Sequence, residues 1–336
     1  RYTGAVPSIH GIQANNFLLN GKMTYCTADS TVSGVGTDSK AGQMSPRNML
    51  TTTIGDELKV ATNFKSRVFG VSIKDRAAIL PAGHAADAAY WIDSKQSKFI
   101  SSTYYMKQLP AWVEKYNKKI SKYASDQISY SPVGNEVTID MAKNVVSNEK
   151  LGQQGETDML CVSFSSTDKI GHKYGTHCQI IQDQFVDLDK RLADFFNYLD
   201  QTIGKGEYLV FLTADHGAAN NILMNQEHGI PAGGFFYKQE LKDLNTYLQK
   251  KYNTTANLAR YIMSYNVVLD HDAIAKAGLK LRTVKNDVVK YFQGKEYVAY
   301  AVNMDRVESA TVPSYIKEKM INGYCRKRNG DIQLIM

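Results

Sequence analysis

The sequence predicts an α/β fold, a mostly parallel sheet sandwiched by helices with insertions. Three observations carry this. Residues 159–164 (Met-Leu-Cys-Val-Ser-Phe) and 208–212 (Tyr-Leu-Val-Phe-Leu) are short, nearly all-apolar runs, the pattern of strands buried on both faces. Between them, residues 179–203 carry an apolar helical face of Ile181, Phe185, Leu188, Leu192, Phe195, Phe196, Leu199 and Ile203. Strand, helix and strand in that order form a βαβ unit, normally a right-handed parallel crossover.

The remaining elements follow in chain order. Gly and Pro surround His10-Gly11, and Asn15 and Asn16 fall in a turn before Phe17-Leu18-Leu19. On the residues alone, an Asx turn is the plainer account of that pair. A helix is expected over 45–58, with Pro46 in its first turn and Leu50, Ile54 and Leu58 as its apolar stripe. Residues 68–73 read as a strand, with Lys74-Asp75-Arg76 at its end. In extended chain Lys74 and Arg76 point to the same side, which suits an anionic group; a charged surface turn explains them as well. His84 reads as structural. Residues 90–135, rich in Tyr, Trp and Lys, read as an insertion rather than sheet core. Residues 137–151 read as a helix, and 238–330 as alternating helices and short strands, a second insertion or accessory region. Asn253-Thr254-Thr255 matches a glycosylation sequon, a triplet common by chance.

Each of the two apolar runs leads into a carboxylate and an imidazole: Asp168 and His172 after the first, Asp215 and His216 after the second. In open α/β sheets, ligands sit beyond the carboxyl ends of strands. Carboxylate oxygen and neutral imidazole nitrogen are good zinc ligands. Asp168 and His172 are expected in a loop that Gly171 and Gly175 let fold inward, and Gly217 allows a turn at Asp215-His216. His177 and His228 are alternative ligands, though neither directly follows a strand.

With 336 residues, 43% apolar and 22% charged, the chain has the composition of an ordinary globular protein. No apolar run is long enough for a membrane span. A net charge of +7 favours anionic substrates, but no basic block points to nucleic acid. Cys26, Cys161, Cys178 and Cys325 include no Cys-x-x-Cys pair, so a structural zinc ribbon is not expected. The chain opens on Arg1 and ends within a strand-like run at 332–336, which reads as a fragment.

Ser165 to Gly175 (Ser-x-x-Asp-x-x-Gly-His-x-x-Gly) and Thr213-Ala214-Asp215-His216-Gly217 resemble motifs of the alkaline phosphatase superfamily. The likeness is strongest to its type I phosphodiesterase/nucleotide pyrophosphatase group. With Tyr2 to Ile12 and Ser72 to Leu80 added, the chain resembles single-subunit bacterial alkaline phosphatases along nearly its whole length. The resemblance implies one incomplete domain over 1–336, two zinc ions, and hydrolysis of phosphate monoesters through a covalent phospho-threonine or phospho-serine. It implies that Asp168 and His172 bind one zinc and Asp215 and His216 the other, while Asn15, Lys74 and Arg76 hold the phosphoryl oxygens. It also implies a periplasmic or secreted location. The family's nucleophile, an earlier Asp ligand and a final His ligand are expected outside 1–336, so this chain alone is expected to be inactive. Phosphodiester or nucleotide pyrophosphate hydrolysis, and an inactive binding module, are the alternatives; Lys74 and Arg76 favour monoesters.

Overall fold

The computed structural model describes residues 2–336. Its strands are β1 Asn16–Leu19, β2 Lys22–Tyr25, β3 Gly34–Val35, β4 Val68–Ser72, β5 Ala88–Asp93, β6 Lys98–Ser102, β7 Met159–Ser163, β8 Ala259–Met263, β9 Asn266–Leu269, β10 Tyr300–Asn303 and β11 Ile332–Ile335. The chain divides into two units, one of residues 2–4 and 27–232, the other of 5–26 and 233–336. Among the described residues no helix is long and apolar enough to cross a membrane.

The first unit is built on a five-stranded sheet in the order β3-β6-β5-β4-β7. Its centre is parallel: β4 pairs in parallel with β5 and with β7, while β6 and β3 continue the sheet antiparallel. Every residue of β4 is buried, as expected for a strand flanked by strands and covered on both faces. Alternation sorts its side chains. Phe69 and Val71 join Tyr90, Phe99, Val113, Val137 and Met141 in one core. On the other face Ala89, Trp91 and Ile100 pack with Ala78 and Ile79 of the helix Asp75–Ala82. That helix lies so close to β4 that a Cβ on Gly70 would sit 2.0 Å from the Ala78 carbonyl oxygen. Only glycine allows this approach.

Several expectations are corrected. The helix expected over 45–58 runs from Ile54 to Ala61. Thr53 and Asp56 form a reciprocal capping box that fixes this later start. It buries Gly55, Asp56 and Lys59, the last reaching Asp87 at 2.7 Å, and leaves Ile54 exposed, while Leu50 lies before the helix and is exposed as well. Residues 90–135 are not outside the sheet: β5 and β6 are strands of it, and Tyr90 and Trp91 are core. Strand β7 is an edge strand and only half-buried. Residues 209–212 form no strand and are exposed, so the βαβ unit is not closed. After the helix Gln179–Thr202, Gly204 and Gly206 take positive φ and turn the chain, and 208–212 finds no ladder to join. An apolar run becomes a strand only where backbone partners are available. On that helix Ile181, Phe195 and Leu199 are buried as expected, but Phe185 is exposed and Gln184 takes the inward position.

The second unit holds an antiparallel sheet in the order β10-β11-β9-β8 and the β1–β2 hairpin. The helices Tyr237–Tyr252 and Leu281–Gln293 cover the sheet through Leu244, Leu248, Val284, Val288 and Phe292, which meet Ile262, Val267 and Ile332. The helix Ser314–Gly323 packs through Met320 on Val302, Met304 and Val307.

Candidate active site

The parallel register of β4 and β7 places Ser72 opposite Ser163 at the carboxyl ends of both strands. Just beyond, the Ser72 and Ser165 hydroxyls are 2.9 Å apart, and the Lys74 backbone N–H donates to Ser72 Oγ at 3.1 Å. Lys74 has extended backbone and sits at the N-cap of the helix Asp75–Ala82. Arg76 is therefore in a helical first turn, and the extended-chain argument for Lys74 and Arg76 does not hold. Helical neighbours two apart do not share a face.

After β7 the chain enters the helix Ser166–Tyr174. Asp168 and His172 lie four apart on one helical face rather than in the expected loop. His172 Nε2 is 3.2 Å from Asp168 Oδ1. Asp168 Oδ2 accepts from Lys74 Nζ, which joins the ends of the two parallel strands. Asp215 and His216 lie in exposed irregular chain. Even so, His216 Nε2 reaches within 3.8 Å of Asp168 Oδ1 and 3.5 Å of Asp215 Oδ2. His216 Nδ1 is 2.8 Å from the Gly217 carbonyl oxygen, and its backbone N–H donates to Asp215 Oδ1 at 3.1 Å. Asp168, His172, His216 and Lys74 thus meet, with Asp215 beside His216. Asn15 belongs to the other unit, exposed in the bend before β1, where its carbonyl accepts from Cys26 N–H at 2.8 Å.

Burial pushes the Asp168 carboxyl up, but the hydrogen bond and charge of Lys74, helped by His172 and His216, outweigh it. The group is held below the usual carboxylate range. Next to it, burial and the charges of Lys74 and Arg76 lower the Lys169 ammonium, with Asp126 and Asp168 acting in the other direction. The donors Asp168, His172, Asp215 and His216 are those zinc takes. Among the described residues, though, no three His, Cys, Asp or Glu side chains are grouped so as to hold one ion, and one Asp168 oxygen is engaged by Lys74.

Sequence reasoning missed the polar support beneath. Gln184 Nε2 donates to Asn135 Oδ1 and Ser166 Oγ, both at 2.7 Å, and Asn135 Nδ2 donates to the Gln184 carbonyl oxygen at 3.1 Å. All three side chains are buried. They lock the start of the helix that carries Asp168. The available signal was Gln184 itself, three residues after Ile181 on the inward stripe. His177 and His228 are exposed; His228 Nδ1 is 2.8 Å from the Met224 carbonyl oxygen.

Residues 2–336 match the family described as type I phosphodiesterase / nucleotide pyrophosphatase. The chain is 39% identical to alkaline phosphatase PafA of Elizabethkingia meningoseptica, covering 99% of this chain and 70% of that protein. It is 40% identical to a protein of Myroides odoratus named a calcium-transporting ATPase, covering all of this chain and 71% of that one. Alkaline phosphatase PhoV of Synechococcus elongatus is 39% identical, over all of this chain and 69% of its own length. A crystal structure of wild-type PafA superposes with a TM-score of 0.95 at 38% identity, over 99% of this chain and 74% of that one.

Proposed function

Because the chain belongs to the type I phosphodiesterase/nucleotide pyrophosphatase family, whose relatives here include named alkaline phosphatases, we propose that its phosphoester hydrolysis is zinc-dependent and directed at phosphate monoesters. Asp168 and His172 would hold one zinc ion, and Asp215 and His216 a second. Lys74, Arg76 and Asn15 are assigned to the phosphoryl group by family resemblance. The observation that carries this is the convergence at Asp168, whose Oδ1 lies 3.2 Å from His172 Nε2 and 3.8 Å from His216 Nε2 while Oδ2 accepts from Lys74.

Zinc bound by these side chains supplies Lewis acidity toward phosphoryl and leaving-group oxygens. The chain's own residues do the rest. Lys74 fixes the Asp168 carboxylate and lowers its affinity for a proton further. Arg76, planar and permanently charged, suits paired contact with two phosphoryl oxygens. Ser72 and Ser165 are buried and hydrogen-bonded to each other, so neither is assigned as nucleophile. A periplasmic or secreted location belongs to the same proposal.

The test is zinc content after dialysis, for wild type and for Asp168→Asn and His216→Ala, together with binding of an aryl phosphate monoester and its diester by isothermal titration calorimetry. The reading expects bound zinc that both variants lose, and binding of the monoester over the diester that a chelator weakens. Zinc retention unaffected by either substitution would refute the ligand set. Preference for the diester would refute the substrate class.

A further inference from the structure

The helix Ser166–Tyr174 carries two (i, i+4) pairs side by side: Asp168 with His172, and Lys169 with Lys173. The second pair is two like charges on one helical face, an arrangement that opposes helix stability. Both lysines are nonetheless held in place. Lys169 Nζ donates to Ser129 Oγ at 2.9 Å and is not fully exposed. Lys173 Nζ lies 4.3 Å from the centre of the Tyr130 ring, and Lys169 Nζ lies 5.8 Å from the same ring. The Tyr130 ring orients both cations; Lys169 is half-buried there, while Lys173 stands exposed and also lies 5.1 Å from the Tyr174 ring. Asp126 is the carboxylate whose charge acts on both ammonium groups, Asp168 acts on Lys169 as well, and Lys74 is itself paired with Asp168.

We propose that Lys169 and Lys173, backed by Tyr130, form a second anion subsite beside the phosphoryl site. It would select phosphate monoesters whose leaving group itself carries a negative charge, a carboxylate or a second phosphoryl group. This rests on the reading that Lys74 and Arg76 hold the reacting phosphoryl group. Lys169 directly follows Asp168, the partner of Lys74, so a phosphoryl group held by Lys74 and Arg76 lies close to the lysine pair. Charge complementarity then sets the preference among esters.

The experiment compares binding of phosphoglycolate and ethyl phosphate by isothermal titration calorimetry, on the whole chain. The two probes differ chiefly in a carboxylate. Wild type is expected to prefer phosphoglycolate. That preference should fall roughly five-fold in Lys169→Gln and again in Lys173→Gln, and shrink as salt is raised. Lys173→Arg should restore it. Lys173 is exposed, so its variants report on binding even if Lys169→Gln disturbs the fold. Equal affinity for the two probes in wild type, or a preference unchanged in Lys173→Gln, overturns the subsite. Lys74→Met tests the underlying reading separately: undiminished ethyl phosphate binding there refutes the phosphoryl site and not the lysine pair.

Discussion

Replacing Lys74 by Met keeps the apolar stem and removes the charge that joins β4 to the helix after β7. The Lys74 side chain is 14% exposed and Asp168 26%. An exposed ion pair contributes about 0–1 kcal/mol, and breaking a fully buried one costs about 3–5 kcal/mol. At this partial exposure the interaction should lie between them, at about 1–2 kcal/mol. The sign of its pH dependence follows from Asp168. Its folded pKa is lowered, so the contribution is fully present above the unfolded value of about 3.9 and is lost as pH falls through the folded value. The assay is a double-mutant cycle of Lys74→Met and Asp168→Asn, read by urea unfolding at neutral pH and again in acid below the lowered Asp168 value. The coupling should be near its full value at neutral pH and vanish in acid. A neutral-pH coupling below about 0.3 kcal/mol, or one that persists unchanged once Asp168 is protonated, would refute the argument that this pair fixes the site.

Other predictions are as direct. Gln184→Leu removes the amide donor from Asn135 Oδ1 and the Ser166 hydroxyl, leaving them only their 3.3 Å bond to each other, and should cost about 1–2 kcal/mol in urea unfolding; a neutral result would mean the network supports nothing. Gly70→Ala puts a methyl 2.0 Å from the Ala78 carbonyl oxygen, and should cost about 3 kcal/mol, since the helix must lift from the sheet. Burial pushes the Cys161 thiol up to about 12, so the folded protein should resist iodoacetamide at Cys161 at pH 8 while Cys178 and Cys325, both more exposed, are alkylated; peptide mass spectrometry distinguishes them. Lys285 is buried between Asp305 at 2.7 Å and Asp331 at 2.8 Å, so Lys285→Met should destabilise the second unit by about 3–5 kcal/mol, as a drop in its thermal midpoint.

What the sequence revealed about the site came from chemistry at strand ends. Val68 to Ser72 is continuously apolar but for its last residue, and Lys74 follows at the carboxyl end whatever the next element is. Asp168 and His172 share a face at a spacing of four in a helix, so reading them into a loop gave the right neighbours by the wrong backbone. Edge and centre were not legible. The run 209–212 has the composition of a strand, and composition does not say whether a partner strand is present. Nor could local pattern expose the bond between Lys74 and Asp168, because nothing near either residue in sequence marks the other. Gln184 was hidden for a related reason: a polar residue on an apolar stripe looks like noise until its buried partners are known.

The separation of that pair has a consequence in time. Lys74 and Asp168 are 94 residues apart in the chain. At a synthesis rate of about 5–20 residues per second, Lys74 leaves the ribosome roughly 5–20 s before Asp168. Strand β4 can meet β5 in that interval, but its other edge and the ammonium at its end must wait for β7. The charge pair therefore closes late and over a long loop, and its appearance during refolding would mark the moment at which the parallel centre of the sheet is assembled.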